Sequence, residues 1–261
     1  MNNANPSPVY VINLKRSADR LANFDRSMTA KGVAYVRIAA VDARELSERE
    51  LYERYDAVKN KAHYFSELKP SEIACFLSHR KAWSTFLDET TQPFAVFLED
   101  DIELTVSSEE LNTILAGIAW DSAPMVVKLY QSKGRMGRQL KQVGRFNIFE
   151  PFLPPLGAQA QVINRQAAKL LLEHTEIFFE PLDVAMQRWW DMGISVQLLQ
   201  PNLVEEVSAK VGGSTLIAEK RQTLKSRVIR ELRRPVFRVG RFIRSLVEKN
   251  RMNNSRAQFK L

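Results

Sequence analysis

Three consecutive carboxylates, Glu99-Asp100-Asp101, follow directly on the apolar run Phe94-Ala95-Val96-Phe97-Leu98, with Glu103 two residues beyond. Adjacent anions repel at short range, and a divalent cation held by oxygen ligands relieves that repulsion. A continuous apolar run bounded by Pro93 and acids reads as a central strand buried on both faces. In open α/β sheets the carboxyl ends of such strands are where ligands sit. If the extended backbone continues, Glu99 and Asp101 point to one side and Asp100 to the other. The competing reading is a solvated turn whose acids cap a helix, and the local pattern leaves both open.

Other residues carry weaker chemical signals. Ser78 and His79 lie on a helix otherwise rich in core residues, where a lone histidine serves either as a hydrogen-bonded core group or at a site. Cys75 reads as a small buried hydrophobe, since nothing nearby suggests an activated thiolate. Trp189 and Trp190 suit either core packing or stacking on a sugar ring. Gln131 to Gly144, with Gly134 and Gly137, reads as a mobile loop. Its Lys133, Arg135 and Arg138 either meet phosphates or an anionic lipid, or are simply solvated.

The elements that position these residues are legible in outline. Val9 to Ile12 reads as a strand, Ser17 to Lys31 as a helix capped by Ser17 and stopped by Gly32, and Val33 to Ile38 as a second strand. That β-α-β opening is typical of nucleotide-binding α/β sheets. Short helices and loop fill Asp42 to Lys69, and Pro70 opens a long helix to about Glu89 with Glu72 near its positive end. Met125 to Tyr130, Phe146 to Phe149, Ala160 to Ile163 and Ile194 to Leu199 read as strands. Helices are expected from about Arg165 to His174 and over Pro181 to Asp191.

Composition bounds the rest. The 261 residues, 45% apolar and 26% charged, are ordinary for a soluble globular chain and exclude collagen, coiled coil or wholesale disorder. A single cysteine excludes an intrachain disulfide, and the longest apolar runs fall far short of the ~20 residues that span a bilayer. With Met1 to Pro8 polar and no signal-peptide pattern, a cytoplasmic location is expected. The +8 net charge hides an asymmetry: from Glu219 onward there are 14 Lys/Arg and 3 acids, leaving residues 1–218 with 24 basic and 27 acidic residues. The expected organisation is therefore a globular domain over 1–218 and a basic amphipathic helical tail over 219–261. In that tail Leu224, Val228, Ile229 and Leu232, then Val236, Val239, Phe242, Ile243, Leu246 and Val247, recur at helical spacing among arginines, with Pro235 expected to break or kink the helix. Such a pattern suits an anionic membrane surface; a helix packed on the body or a partner-binding tail is the alternative.

Val11-Ile12-Asn13-Leu14-Lys15-Arg16-Ser17-Ala18-Asp19-Arg20 resembles the opening motif of glycosyltransferase family 25, the lipooligosaccharide β-galactosyltransferases related to collagen galactosyltransferases. Glu72 to His79 with Trp83 resembles the second block, and Phe97-Leu98-Glu99-Asp100-Asp101 the third. Gly157 to Ala168, with Asn164-Arg165, and Pro181-Leu182-Asp183 continue the order. The likeness runs from about Val9 to Ile217 and leaves the tail outside it. Ser71 stands where the family usually has glycine, a mild departure that fits an N-cap.

The resemblance implies a GT-A type α/β fold with a mixed, mainly parallel sheet. It also implies an inverting, metal-dependent transfer of a hexose, galactose from UDP-galactose above all, to a lipooligosaccharide or related surface glycan. On that reading Glu99 and Asp101 hold Mn or Mg, while Asp100 faces the nucleotide. Asn13, Arg16 and Arg20 meet uracil, ribose or phosphate, with a solvated helix face the alternative for Arg20. His79 lies near the donor. Asp183 is the candidate base, with an N-terminal helix cap as its other role and Glu180 as the second candidate. The implied partners are a nucleotide sugar, a glycolipid or oligosaccharide acceptor and the inner face of the cytoplasmic membrane, with no nucleic acid expected. The contrasting reading is a non-catalytic protein that binds nucleic acid or membrane through its arginine-rich tail.

Overall fold

The structure, a computed structural model, describes residues 7–120, 123–132, 137–208 and 224–258. In chain order the elements are β1 (Val9–Asn13), α1 (Ala18–Ala30), β2 (Val36–Ala39), α2 (Glu48–Tyr52), α3 (Ala57–His63), α4 (Pro70–Glu89), β3 (Phe94–Glu99), β4 (Ile102–Leu104) and α5 (Ser108–Ala116). There follow β5 (Met125–Lys128), β6 (Gly137–Val143), β7 (Phe146–Pro151), β8 (Ala160–Asn164), α6 (Arg165–His174) and α7 (Leu182–Ala185) with a 3-10 turn over Met186–Arg188. β9 (Ser195–Gln200), β10 (Val204–Glu206) and α8 (Leu224–Gln258) complete the order.

Eight strands form one sheet in the order β2-β1-β3-β8-β5-β9-β7-β6. β1 pairs in parallel with β2 and β3, and β5 with β9, while β8 and β7 run against their neighbours. Strand direction is therefore shared by all but β7 and β8, which makes the sheet mixed and mainly parallel. Side chains of one strand alternate between two cores. Tyr10, Ile12, Ala95 and Phe97 pack on one face against Phe76, Trp83 and Phe86 of α4. Val9, Val11, Val96 and Leu98 pack on the other against Phe24 and Met28 of α1. This two-sided burial is why β3 is apolar at every interior position.

Several boundaries differ from the sequence expectation for identifiable reasons. The segment expected as a mobile loop contains β6, hairpinned onto β7 through Gly144 (φ +56). Its mostly polar and exposed side chains carry no apolar alternation, so the backbone ladder is what reveals the strand. Lys133 and Arg135 lie outside the described residues. The helix expected over Pro181 to Asp191 is one turn of α-helix and a 3-10 turn. Lys69, not Ser71, occupies the N-cap of α4, and its backbone N–H donates to Glu72 Oε2 at 2.8 Å. The small antiparallel pair β4–β10 carried no signal of its own.

Leu224–Gln258 form one helix, α8, that continues through Pro235 rather than breaking there. Proline removes a single backbone donor, and the docked residues on the following turns hold the helix in register. Arg241 pairs with Glu180 at 2.7 Å, Ser245 donates to the Phe152 carbonyl and accepts from Trp189 Nε1, and Lys249 lies 3.6 Å from Glu150. Residues 209–223, which include the expected boundary at 218, and the side chains of Leu224, Lys225, Arg227, Val228, Ile229 and Arg230 lie outside the described residues.

Asn164 ties the sheet to its flanking segments. It is buried, and its Oδ1 accepts from Met125 N and, as the N-cap of α6, from Ala167 N, both at 2.9 Å. Its Nδ2 donates to the Trp120 and Ala123 carbonyls at 2.7 Å. Replacing it by alanine orphans three buried backbone groups and one part-buried group, at ~1–3 kcal/mol for the worst-placed of them. Asn164→Ala should therefore lower unfolding free energy by about 3 kcal/mol or more, read as a reduced urea midpoint with unchanged m-value.

Candidate functional site

A cleft of about 330 Å³ opens at the carboxyl ends of β1, β2 and β3. Leu14 and the first turns of α1 supply one wall, with Arg16 and Arg20, and Ala40 to Ala43 after β2 supply another. Along α4, Ser71, Ala74, Cys75, Ser78 and His79 line it at helical spacing, while Ile73, Phe76 and Trp83 of the same helix face the core. Glu99, Asp100 and Asp101 form its floor. Gln159, Glu206 and Ser208 reach it from the opposite side.

The carboxylates are held apart by specific partners. Asp100 is buried, accepts from Asn13 Nδ2 at 2.6 Å and pairs with Arg20. The same guanidinium reaches Asp101 Oδ2 at 3.1 Å. Burial raises the Asp100 carboxyl above its ordinary range, with Arg20 and Asn13 pulling the other way. Asp101 is pushed up to about 7, first by burial and then by the charge of Glu99. Its Oδ1 is buried and has no hydrogen-bond partner among the described residues. An orphaned carboxylate oxygen beside a second carboxylate, in a hard-oxygen donor set, fits a divalent cation of the Mg or Mn kind. Glu99 and Asp101 are the residues that would hold it.

Arg16, Arg20, His79, Glu99, Asp100 and Asp101 thus come together on one cleft. Asn13 does not reach its surface. It is 1% exposed, and its amide is committed to Asp100 and to the Ser17 carbonyl, so it positions a carboxylate rather than facing a base. Arg16 Nε pairs with Asp42 at 2.5 Å. Burial of Asp42 is outweighed by the Arg44 backbone N–H and by Arg16, which hold its carboxyl below the usual range. His79 is fully buried except towards the cleft, with Nε2 3.2 Å from Glu99 Oε1. Cys75 departs from expectation. It is an exposed residue, and it lines the cleft. Desolvation by the protein around it, with the charges of Glu99 and Asp183 adding to it, nonetheless raises the thiol above its ordinary pKa.

Asp183 lies elsewhere. It lines a second cavity of about 430 Å³ with Tyr64, Lys69, Glu72, Leu156 and residues of α8. Consecutive residues Ser71 and Glu72 line the first and second cavities respectively, so the two adjoin at the start of α4. Asp183 Oδ2 accepts from Gly157 N at 2.9 Å. Gly157 has φ +93, a backbone conformation that favours glycine, and its carbonyl accepts from the buried Lys128 Nζ, which also reaches the Pro155 carbonyl at 2.6 Å. Burial lowers the Lys128 ammonium to about 8, with Asp183 opposing. Glu180 is committed to Arg188 and Arg241 and is 1% exposed, which removes it as a base.

Trp189 and Trp190 stack edge to face at 5.7 Å, with Trp189 under α8 and away from both cavities. Arg138 pairs with Glu150 on the β6–β7 hairpin rather than meeting the cleft. Asp42, Gln159 and Glu206 are cleft residues that pattern reading missed. Asp42 sits in a charged, poorly patterned segment, and the other two are brought in by strand pairing.

Residues 6–186 match the family model described as glycosyltransferase family 25 (LPS biosynthesis protein). Over 174 residues the chain is 30% identical to a Neisseria meningitidis lacto-N-neotetraose biosynthesis glycosyltransferase, LgtE, covering 63% of this chain and 59% of that one. It is 33% identical over 101 residues to LgtB of Neisseria gonorrhoeae (39% and 34% covered), and 31% identical over 97 residues to a Drosophila melanogaster glycosyltransferase 25 family member (36% and 16%). The chain thus spans less than two thirds of each relative. Among solved structures, a galactosyltransferase LgtC complex with donor and acceptor sugar analogues aligns over 72% of both chains at 10% identity and a TM-score of 0.34. The family match covers well over half of the sequence, and the chain belongs to glycosyltransferase family 25.

Proposed function

We propose that the chain is a GT-A type enzyme that transfers a hexose, galactose first among candidates, from a UDP-sugar with inversion to a lipooligosaccharide or related surface glycan. The observation that carries this reading is the strand-end cleft in which Glu99 and Asp101 sit beside Arg16 and Arg20. The two relatives named for lacto-N-neotetraose biosynthesis support the acceptor class. In this scheme Arg16 and Arg20 orient the nucleotide diphosphate by charge-assisted hydrogen bonds. Asn13 and Arg20 hold Asp100 so that Asp101 and Glu99 face the donor. A Mn or Mg ion held there, when bound, supplies the charge that offsets the departing diphosphate.

Asp183, in the adjoining cavity, takes the proton of the acceptor hydroxyl as that oxygen attacks the sugar's anomeric carbon. The Gly157 N–H and, behind it, Lys128 fix the carboxylate in place. Tyr64, Phe65 and Phe237 give this cavity aromatic surface suited to a pyranose face.

α8 is proposed to rest on the anionic inner face of the cytoplasmic membrane. Its docked face carries Arg241, Ser245 and Lys249. A separate face leaves Leu232, Val236, Val239, Ile243 and Val247 to solvent at i, i+4, i+7 spacing, Val236 being 73% exposed. Exposed Arg233, Arg238 and Arg244 flank it, each adding roughly 1 kcal/mol near anionic lipid. No helix of the described residues is long and apolar enough to cross a membrane.

The decisive assay is UDP release by the purified chain against a panel of UDP-sugars, with Mn²⁺ or Mg²⁺ present and a glycan acceptor. Asp101→Ala should bring turnover to background with an unchanged far-UV spectrum; near-normal turnover would refute the metal assignment. Asp183→Asn should lower kcat by ~10²–10⁴ with little change in donor affinity. Loss of donor binding instead would mark Asp183 as a structural cap. For α8, the full chain should float with phosphatidylserine-containing vesicles at low salt, and Val236→Glu/Val239→Glu/Ile243→Glu should abolish flotation. Equal flotation of both proteins, or none by either, rejects membrane docking.

A further inference from the structure

Glu99 has a second set of neighbours besides Asp101. Cys75 and His79 are one helical turn apart on α4 and project from the same face into the cleft. Cys75 Sγ, a ring nitrogen of His79 and a carboxylate oxygen of Glu99 all lie within 4.8 Å of one another. We propose that these three side chains form a site for a thiophilic divalent cation of the Zn²⁺ class, distinct in ligand chemistry from the hard-oxygen position at Glu99 and Asp101 but sharing Glu99 with it.

Four observations support the geometry. First, sulfur, imidazole and carboxylate are the donor types zinc takes, at ~2.3, ~2.0 and ~2.1 Å, which puts ligand atoms roughly 3.3–3.7 Å apart around a tetrahedral ion. The observed separations close to that range by about an ångström, within reach of side-chain rotation. Second, His79 Nε2 and Glu99 Oε1 are already at 3.2 Å, so two ligands are nearly in place. Third, Cys75 is an exposed residue that lines the cleft, which gives the ion an entry path. Fourth, three protein ligands leave one position facing the cleft, the pattern of exchangeable rather than structural zinc sites. On binding, Cys75 gives its proton to solvent, and the imidazole proton that now faces Glu99 from Nε2 passes through solvent to Nδ1, which frees the Nε2 lone pair for the ion.

Softness decides which ion goes where. Thiolate selects Zn²⁺ over Mg²⁺ or Mn²⁺, whereas a pure carboxylate set selects the harder ions. Because Glu99 belongs to both sets, a Zn²⁺ ion at Cys75 withdraws a ligand from the hard-cation position. Zinc should thus act as an inhibitor that Mn²⁺ overcomes by mass action. That consequence for turnover rests on the cleft being the donor site; the binding itself does not.

Cobalt spectroscopy tests the binding without any enzyme assay. The full chain, tag-free, reduced and stripped of metal by chelation, is titrated with Co²⁺. Since the chain has one cysteine, a thiolate-to-cobalt charge-transfer band in the near ultraviolet can come only from Cys75. The expected result is a band that saturates at one equivalent, is bleached by one equivalent of Zn²⁺ and withstands excess Mg²⁺. Cys75→Ser should lack it, and Zn²⁺ affinity should fall by about 100-fold or more, beyond the ~10–100-fold of a lost outer-shell partner. Wild-type protein alkylated with iodoacetamide removes the same ligand without a folding risk and should also lack the band. Absence of the band in the reduced wild type overturns the proposal. Undiminished cobalt affinity in His79→Gln overturns it as well, with Glu99→Gln as the second variant should the histidine change prevent folding. If the band appears but Zn²⁺ leaves UDP release untouched, the site stands and the donor reading of the cleft fails.

Discussion

Placing three carboxylates at the end of a strand buried on both faces creates an electrostatic demand that the surrounding architecture meets. β3 brings Glu99, Asp100 and Asp101 to the rim of the core, where burial raises the cost of the Asp100 and Asp101 charges. Arg20 answers two of them from α1, and Asn13 from the end of β1 secures the third contact. An uncompensated charge in such a place costs several kcal/mol, ~3–5 when a buried pair is broken. The register of β1 on β3 and the entry angle of α1 are therefore tied to the acidic strand end. Even so, one oxygen of Asp101 is left without a partner among the described residues, and that remaining demand is what a cation would meet.

Helix α4 illustrates how one element serves both packing and chemistry. Its inner face, Ile73, Phe76, Trp83 and Phe86, fills the core under the sheet. The adjoining face carries Cys75, Ser78 and His79 into the cleft. Ser78 Oγ additionally accepts from the Val41 backbone N–H at 2.8 Å, which fixes the loop after β2 against the helix. The rigidity needed by the core thus becomes positional precision at the cleft wall. A comparable economy holds Asp183: a buried lysine on the sheet grips the loop at Gly157, and that loop's N–H orients the carboxylate.

α8 belongs to the body as much as to the solvent. Arg241 satisfies the buried Glu180, and Ser245 is wholly enclosed. Phe237 packs edge to face on Tyr64 at 5.3 Å, closing the cavity that contains Asp183. A helix so anchored can present its outer apolar row at a defined orientation to the cavity mouth, which a loosely tethered tail cannot do.

Much of this was readable in the residues themselves. The apolar run into Glu99-Asp100-Asp101, the β-α-β opening and the Pro70 start of α4 are local signals. Periodicity and capping are properties of neighbouring residues along the chain. Basic charge concentrated after Glu219 and apolar positions at helical spacing likewise announced an amphipathic helix. What sequence could not determine depends on groups far apart in the chain. That Asn13 braces Asp100 rather than a nucleotide, that Arg16 meets Asp42, and that Cys75 opens to the cleft instead of the core follow from how sheet and helices pack. The exposed β6 strand had no apolar alternation to betray it, because neither of its faces packs into the core. Arg241, one arginine among many in the tail, became a buried partner only because Glu180, 61 residues earlier, lay under it unpaired on that side. Local propensity is written residue by residue, whereas the partner of a charge is chosen by the fold.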